Sequence, residues 1–141
     1  MSLLHTVVGD VENLITSLPP IPEGIYRCQV EALAEKSGTT KAGDTWAGIE
    51  ATLKLIDPEQ LAAIERDSAK LFSLLFLELH EDGSINFDKS IQLNRFLKAC
   101  ALESGESIAD CKNRYIDVTV ALQQREGGVD NRVTAFAAVT E

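Results

Sequence analysis

The order of strand-like and helix-like segments constrains the fold of this chain more than any other feature. Five strand-like runs lie between Ile25 and the last residue, and one amphipathic helical run stands between the third and the fourth. The helix is predicted to begin near residue 88 and to end at Ser104-Gly105. A chain of 141 residues is expected to fold as one domain around its own core.

This order is typical of a small five-stranded barrel of the OB type. The sequence therefore predicts a mainly β fold: a five-stranded OB-like barrel with a helix between strands 3 and 4 and an N-terminal helix. Residues 1–22 are assigned to an N-terminal amphipathic helix and a Pro-rich hinge, and residues 23–141 to the barrel domain. The predicted helix carries an apolar stripe, which consists of Leu4, Val7, Val11, Leu14 and Leu18. Packing of this stripe on the barrel and a homo-oligomer contact through it both stay open.

The strand faces follow from the alternation. On the first strand Tyr26, Cys28, Val30 and Ala32 are expected to share the inward face, and on the second Trp46, Glu50, Thr52 and Lys54 point outward. The third strand is nearly continuous in apolar residues, so we expect it to be covered on both sides, with Phe72 and Phe76 in the core. On the fifth strand Val133 and Phe136 are expected on opposite faces.

Motifs of catalysis and metal binding are missing from the sequence. It has no phosphate-binding glycine loop, no G-x-S-x-G and no H-E-x-x-H. Three cysteines, Cys28, Cys100 and Cys111, lie in or beside apolar runs without C-x-x-C spacing, so we expect reduced, buried thiols and no zinc site. The sequence predicts a protein that is not an enzyme and needs no cofactor. It has neither a long apolar run nor a secretory leader, which predicts a cytoplasmic protein without a membrane partner.

An OB-type barrel binds its ligand on strands two and three, in the loop between strands one and two, and in the loop between strands four and five. Cationic residues and one tryptophan of this chain lie in or next to these regions. The candidate nucleic-acid-binding residues are Arg27, Lys36, Lys41, Trp46, Lys54 and Arg132. Lysine and arginine neutralise phosphates, and aromatic rings stack on bases. A formal charge of −9 argues against nucleic-acid binding and predicts weak, salt-sensitive affinity where it occurs.

Two stretches carry a family resemblance. Residues 22–30, Pro-Glu-Gly-Ile-Tyr-Arg-Cys-Gln-Val, precede a Lys-Ser-Gly loop, and the last strand reads Asn131-Arg-Val133-Thr-Ala-Phe136. Together they resemble small bacteriophage proteins that are encoded among replication and recombination genes and regarded as OB-fold single-stranded-DNA-binding proteins. The order of elements extends the resemblance over residues 22–141. It implies non-specific binding of single-stranded DNA in the host cell cytoplasm; the alternative is a phage protein–protein interaction or assembly module with the barrel as scaffold.

Overall fold

The computed structural model describes residues 3–12, 14 and 19–139. These residues form one five-stranded antiparallel sheet in the order β3-β2-β1-β4-β5. The strands are β1 (Gly24–Thr39), β2 (Thr45–Leu55), β3 (Lys70–Leu77), β4 (Tyr115–Arg125) and β5 (Gly128–Ala138). The helices are α1 (Pro58–Ala63) and α2 (Ile91–Ala99), with 3-10 turns at Leu3–His5 and Ile108–Cys111. The mainly β class, the five strands and the helix between β3 and β4 are thus confirmed.

One face of the sheet forms the core. Alternate residues of the three central strands are buried there, and they are Tyr26, Cys28 and Val30 of β1, Ile49, Ala51, Leu53 and Leu55 of β2, and Ile116, Val118 and Val120 of β4. Helix α2 packs on this face through Leu93, Phe96 and Ala99. The period-two alternation of the sequence therefore identifies the inward face of the three central strands.

Two β-bulges change the faces that simple alternation predicts. The register between β1 and β2 shifts at Glu31, and the register between β4 and β5 shifts at Thr134. A bulge inserts one extra residue, so every later side chain changes face. Ala32 is consequently exposed, and the next residue, Leu33, packs against the core. The predicted faces of Ala32 and Phe136 were wrong for this reason, and Phe136 packs on the core together with Val133.

The sheet is not closed into a barrel. Cα atoms of β3 and β5 approach within 8 Å, but between these two described strands the structure has no hydrogen-bonded ladder. Helix α2 contacts both edge strands, and the Phe96 ring meets the Phe136 ring edge to face at a centroid distance of 5.3 Å. The predicted closed barrel is therefore wrong in this respect, because helix packing takes the place of strand pairing between the two edges.

The predicted N-terminal helix is not formed in the described residues. Apart from the 3-10 turn Leu3–His5, residues 6–12 are irregular. Gly9 costs a helix about 1 kcal/mol relative to alanine, and the β-branched pair Val7-Val8 also disfavours it. Leu4, Val7, Val11 and Leu14 are exposed, and Leu18 lies outside the described residues.

The hinge segment lies against the sheet. Ile21 is buried. Its backbone N–H donates to Asn131 Oδ1 at 2.8 Å, and its carbonyl accepts from Asn131 Nδ2 at 2.7 Å. The chain is thus anchored to β5 just before β1 begins, while the predicted boundary between residues 22 and 23 stays a prediction. Within the described ranges no helix is long and apolar enough to cross a membrane.

We predict that Phe96→Ala destabilises the protein by about 3–5 kcal/mol, because it removes a fully buried ring that joins α2 to β5. Ile91→Ala on the exposed side of the same helix is the control, and we expect a change within about 0.5 kcal/mol. Chemical denaturation of both variants measures the free energies of unfolding. Equal losses in the two variants would show that α2 does not depend on its inner face.

Candidate nucleic-acid interface

The solvent side of three neighbouring strands forms the candidate site, which we call the outer face of β1–β3. Residues paired directly across an antiparallel ladder lie on the same face. The pairs Gly38–Trp46, Lys36–Gly48, Gly48–Phe76, Thr52–Phe72 and Lys54–Lys70 therefore point to solvent together. From Trp46 to Lys54 this face is about 27 Å long at ~3.4 Å per residue.

Trp46 lies flat over a glycine. A Cβ atom added at Gly38 would come within 2.9 Å of the indole atoms Cε2, Cζ2 and Nε1, so the absence of a side chain at Gly38 makes room for the ring. The indole also meets the Phe76 ring edge to face, with centroids 5.7 Å apart and planes at 76°. Aromatic pairs favour this edge-to-face geometry. The position of the tryptophan is thus fixed by both neighbouring strands.

Two phenylalanines of β3 extend the aromatic surface. Phe72 is 61% exposed and Phe76 is 52% exposed, while Leu71 and Leu75 occupy the inward positions of the same strand. The prediction that β3 is covered on both sides, with its phenylalanines in the core, was wrong, because α2 covers only the inner face of the sheet. Exposed apolar surface of this extent typically marks an interaction site.

Lysines lie along the same face. Lys36 is on β1 itself, since that strand continues through Thr39, and Lys54 is at the far end of β2. Lys41 is in the turn of residues 40–44 that joins β1 to β2. Within the described part of the chain these three ammonium groups have no ion-pair partner, whereas Lys70 Nζ lies 3.1 Å from Glu31 Oε1. The acidic side chain of Glu50 lies on the same face, between Trp46 and Lys54 of β2.

The two predicted arginines lie elsewhere. Arg27 Nε is 3.1 Å from Asp117 Oδ1 across the β1–β4 pair, so its charge is offset by that carboxylate. Arg132 is exposed on β5, opposite Ala121. The structure therefore groups Lys36, Trp46 and Lys54 on one face, with Lys41 at its end. Arg27 lies near the start of β1, beside β4, and Arg132 lies on β5.

A small cleft joins the site to the open edge of the sheet. It has a volume of about 270 Å³ and is lined by residues that include Lys70, Phe72, Arg125 and Asp130. Arg125 Nε is 3.7 Å from Asp130 Oδ2 in the β4–β5 hairpin. Arg125 of the hairpin and Phe72 at the end of the outer face therefore line the same cleft.

The cysteine thiols of the described residues are buried and protonated. All three cysteines are free and buried. Burial raises the pKa of the Cys28 thiol to about 12 and also raises the pKa values of Cys100 and Cys111. Such thiols are protonated and unreactive at neutral pH. Nowhere in residues 3–12, 14 and 19–139 do three or more His, Cys, Asp or Glu residues gather to hold a metal ion.

Comparison with protein-family models and with curated protein sequences finds no match. The site is therefore interpreted from its own residues. Sequence reasoning did not identify Phe72 and Phe76 as surface residues. They are four residues apart, and each directly follows a leucine, Leu71 or Leu75. In a strand this spacing places the two phenylalanines on one face and the two leucines on the other.

We predict that Gly38→Ala moves the Trp46 ring, since the new Cβ would collide with it at 2.9 Å. The chain has one tryptophan, so its fluorescence reports this ring alone, and we expect the emission to shift to the red as the ring becomes more exposed. Gly9→Ala is the control, because a Cβ there meets nothing within 4 Å. An unchanged emission in Gly38→Ala would contradict the stacked position of Trp46.

Proposed function

We propose that this protein binds single-stranded DNA without sequence specificity on the outer face of β1–β3. The observation that carries the proposal is a row of three aromatic rings on two paired strands flanked by lysines: the half-buried Trp46 and the exposed Phe76 and Phe72. Base–aromatic stacking contributes about 1–3 kcal/mol per base and tolerates any base. A protein of bacteriophage replication or recombination that must coat any sequence needs such a surface.

The strand order supports a partly open OB-like barrel as the scaffold. In the order β3-β2-β1-β4-β5 the two edge strands are β3 and β5, and these approach each other around α2. OB folds are partly open five-stranded barrels that bind nucleic acids on the face of strands 2 and 3 and on the loops next to it. The aromatic row and Lys41 occupy the corresponding positions in this chain.

The charges support a local and salt-sensitive contact. Lys36, Lys41 and Lys54 are available to phosphates, whereas Arg27 is already paired with Asp117 and Arg125 with Asp130. Arg132 is exposed on β5. A net charge of −9 repels DNA from the rest of the surface. We expect stacking to supply most of the affinity and the lysines to align the backbone.

The direct test is a titration of Trp46 fluorescence with a poly-dT oligonucleotide at low and moderate salt. We expect saturable quenching that weakens with salt at a log–log slope of about −0.7 for each phosphate contacted. No quenching at low salt, together with no complex in a gel shift, would overturn the proposal.

We predict that Phe72→Ala weakens oligonucleotide binding by roughly 1–3 kcal/mol while the fold is retained, because one exposed stacking ring is lost. Trp46→Ala has the same expected effect. Phe87→Ala is the matched control, since Phe87 is also about half exposed but lies in the segment between β3 and α2. Binding measured by anisotropy of a labelled oligonucleotide compares the three variants, and equal losses in all would rule out a defined stacking row.

We predict that Lys36→Gln reduces the salt slope of binding by about 0.7, which is the contribution of one phosphate contact on a single strand. Lys89→Gln removes an exposed lysine outside the outer face of β1–β3 and should leave the slope unchanged. The slope comes from affinities measured at four or more salt concentrations. A slope that falls equally in both variants would indicate a response to net charge and not to a local contact.

A phage protein–protein interaction or assembly module is the second candidate function. It is favoured by the exposed side chains of Leu4, Val7, Val11 and Leu14, which pack on nothing in the described structure. In that case charged substitutions in this segment would abolish binding to a protein partner and leave oligonucleotide binding unchanged.

A further inference from the structure

Strand β1 has a long unpaired edge. It pairs with β2 as far as Thr39 but with β4 only from Gly24 to Gln29. Residues 32–39, which we call the β1 tail, therefore have no strand on their second side within the described residues. In an antiparallel ladder alternate residues direct their N–H and C=O groups away from the partner, so the β1 tail offers these groups to an incoming strand.

A cleft lies beside this edge on the inner side of the sheet. It has a volume of about 560 Å³, and its apolar lining includes Leu33, Ala47, Ile49, Leu77, Ile108 and Ala109. A free strand edge next to an apolar cleft is the arrangement that binds extended peptides. Main-chain hydrogen bonds supply affinity there, and alternate side chains enter the cleft.

The chain itself carries a segment of matching length and pattern. Residues 3–11 number nine, against eight in the β1 tail. In extended conformation one side carries Leu3, Val7 and Val11 together with His5 and Gly9, and the other side carries Leu4, Thr6, Val8 and Asp10. The β-branched valines favour a strand over a helix. Leu3 is 82% and Val7 89% exposed, and the 3-10 turn Leu3–His5 buries no residue that would resist extension.

We propose that residues 3–11 of one molecule add as a strand to the β1 tail of a second copy, with Leu3, Val7 and Val11 directed into the cleft. On its own chain Leu3, Val7 and Val11 are exposed and do not line the cleft. Ile21 is fixed to Asn131 just before β1 begins, and the β1 tail begins eight residues after Gly24, about 27 Å along β1. A second copy therefore supplies the strand to this edge.

This exchange is independent of DNA binding. The cleft opens on the inner side of the sheet, whereas Trp46, Phe72 and Phe76 lie on the outer face of β1–β3. A molecule joined to its neighbour in this way keeps its aromatic row accessible. Loss of oligonucleotide binding would thus leave the association between copies unchanged, and loss of this association would leave oligonucleotide binding unchanged.

Sedimentation velocity of the full chain over a range of concentrations tests the proposal. We expect concentration-dependent association that is weakened by roughly tenfold or more in Val7→Asp/Val11→Asp, because charges would enter an apolar cleft. Leu4→Asp/Val8→Asp is the matched control, since both residues point away from the cleft in a strand, and it should associate normally. A helical stripe would instead contain Leu4, so loss of association in this control would overturn the strand model.

A mixing experiment examines both partners of the contact. Ala109→Glu places a charge in the cleft of a molecule whose segment is intact, and Val7→Asp/Val11→Asp leaves an intact cleft. We expect each variant alone to be monomeric and an equimolar mixture to form a 1:1 complex. A mixture that stays monomeric, or a wild-type chain that is monomeric at every concentration, would overturn the proposal; circular dichroism confirms that both variants are folded.

Discussion

The double pairing of β1 is the constraint on which the rest of the structure depends. This strand pairs with β4 from Gly24 to Gln29 and with β2 from Cys28 to Thr39, so the two ladders overlap at Cys28 and Gln29. Beyond the bulge at Glu31 it pairs, within the described residues, with β2 alone. The first half thus provides the buried positions Tyr26, Cys28 and Val30. The second half carries Lys36 and Gly38 to the outer face and leaves one edge free. Strand β1 therefore contributes residues to the core and to the candidate interface, and it also provides the unpaired edge.

Glycines at two cross-strand positions shape the outer face. The Trp46 ring lies over Gly38, and a Cβ atom at Gly48 would come within 2.9 Å of Leu74 Cδ1. Glycine weakens a strand because it has no side chain to pack, and it often marks a close approach to the backbone. At these two positions larger neighbours cover the backbone instead. The Trp46 indole therefore lies flat over the β1 backbone, and the Phe76 ring is nearly perpendicular to it, at 76°.

The sequence predicts those elements whose local residue pattern agrees with the burial that the fold imposes on them. Strand β4, Tyr115–Arg125, is such an element, because Ile116, Val118 and Val120 alternate without interruption. Helix α1 is another: it begins at Pro58, and Asp57 accepts from the backbone N–H of Glu59 as an N-cap residue. Of the candidate residues, Lys36, Trp46 and Lys54 share a face, but Phe76, which meets the Trp46 ring edge to face, was predicted to lie in the core.

The features that were missed depend on contacts distant in sequence. A bulge at Glu31 or Thr134 leaves no mark on the local alternation, because both faces of the strand continue to carry small or apolar residues. The apolar run of β3 has the same composition whether one or both faces are covered, and only the position of α2 decides between them. The N-terminal stripe satisfies helical spacing at Leu4, Val7 and Val11, yet a stripe with no surface to pack on does not stabilise a helix of such low propensity.

The acidic charge and the aromatic row are consistent with each other. Three accessible rings on one face would favour indiscriminate association between copies, and a net charge of −9 opposes it through mutual repulsion. This repulsion acts on whole molecules over a Debye length of about 8–10 Å. Under the proposed function, a single strand that lay along the face would meet Lys36 and Lys54 at much shorter range than the distant carboxylates, whose field is screened. The same reasoning requires any contact between copies to be directional, as hydrogen bonds along a strand edge are, and not a general apolar attraction.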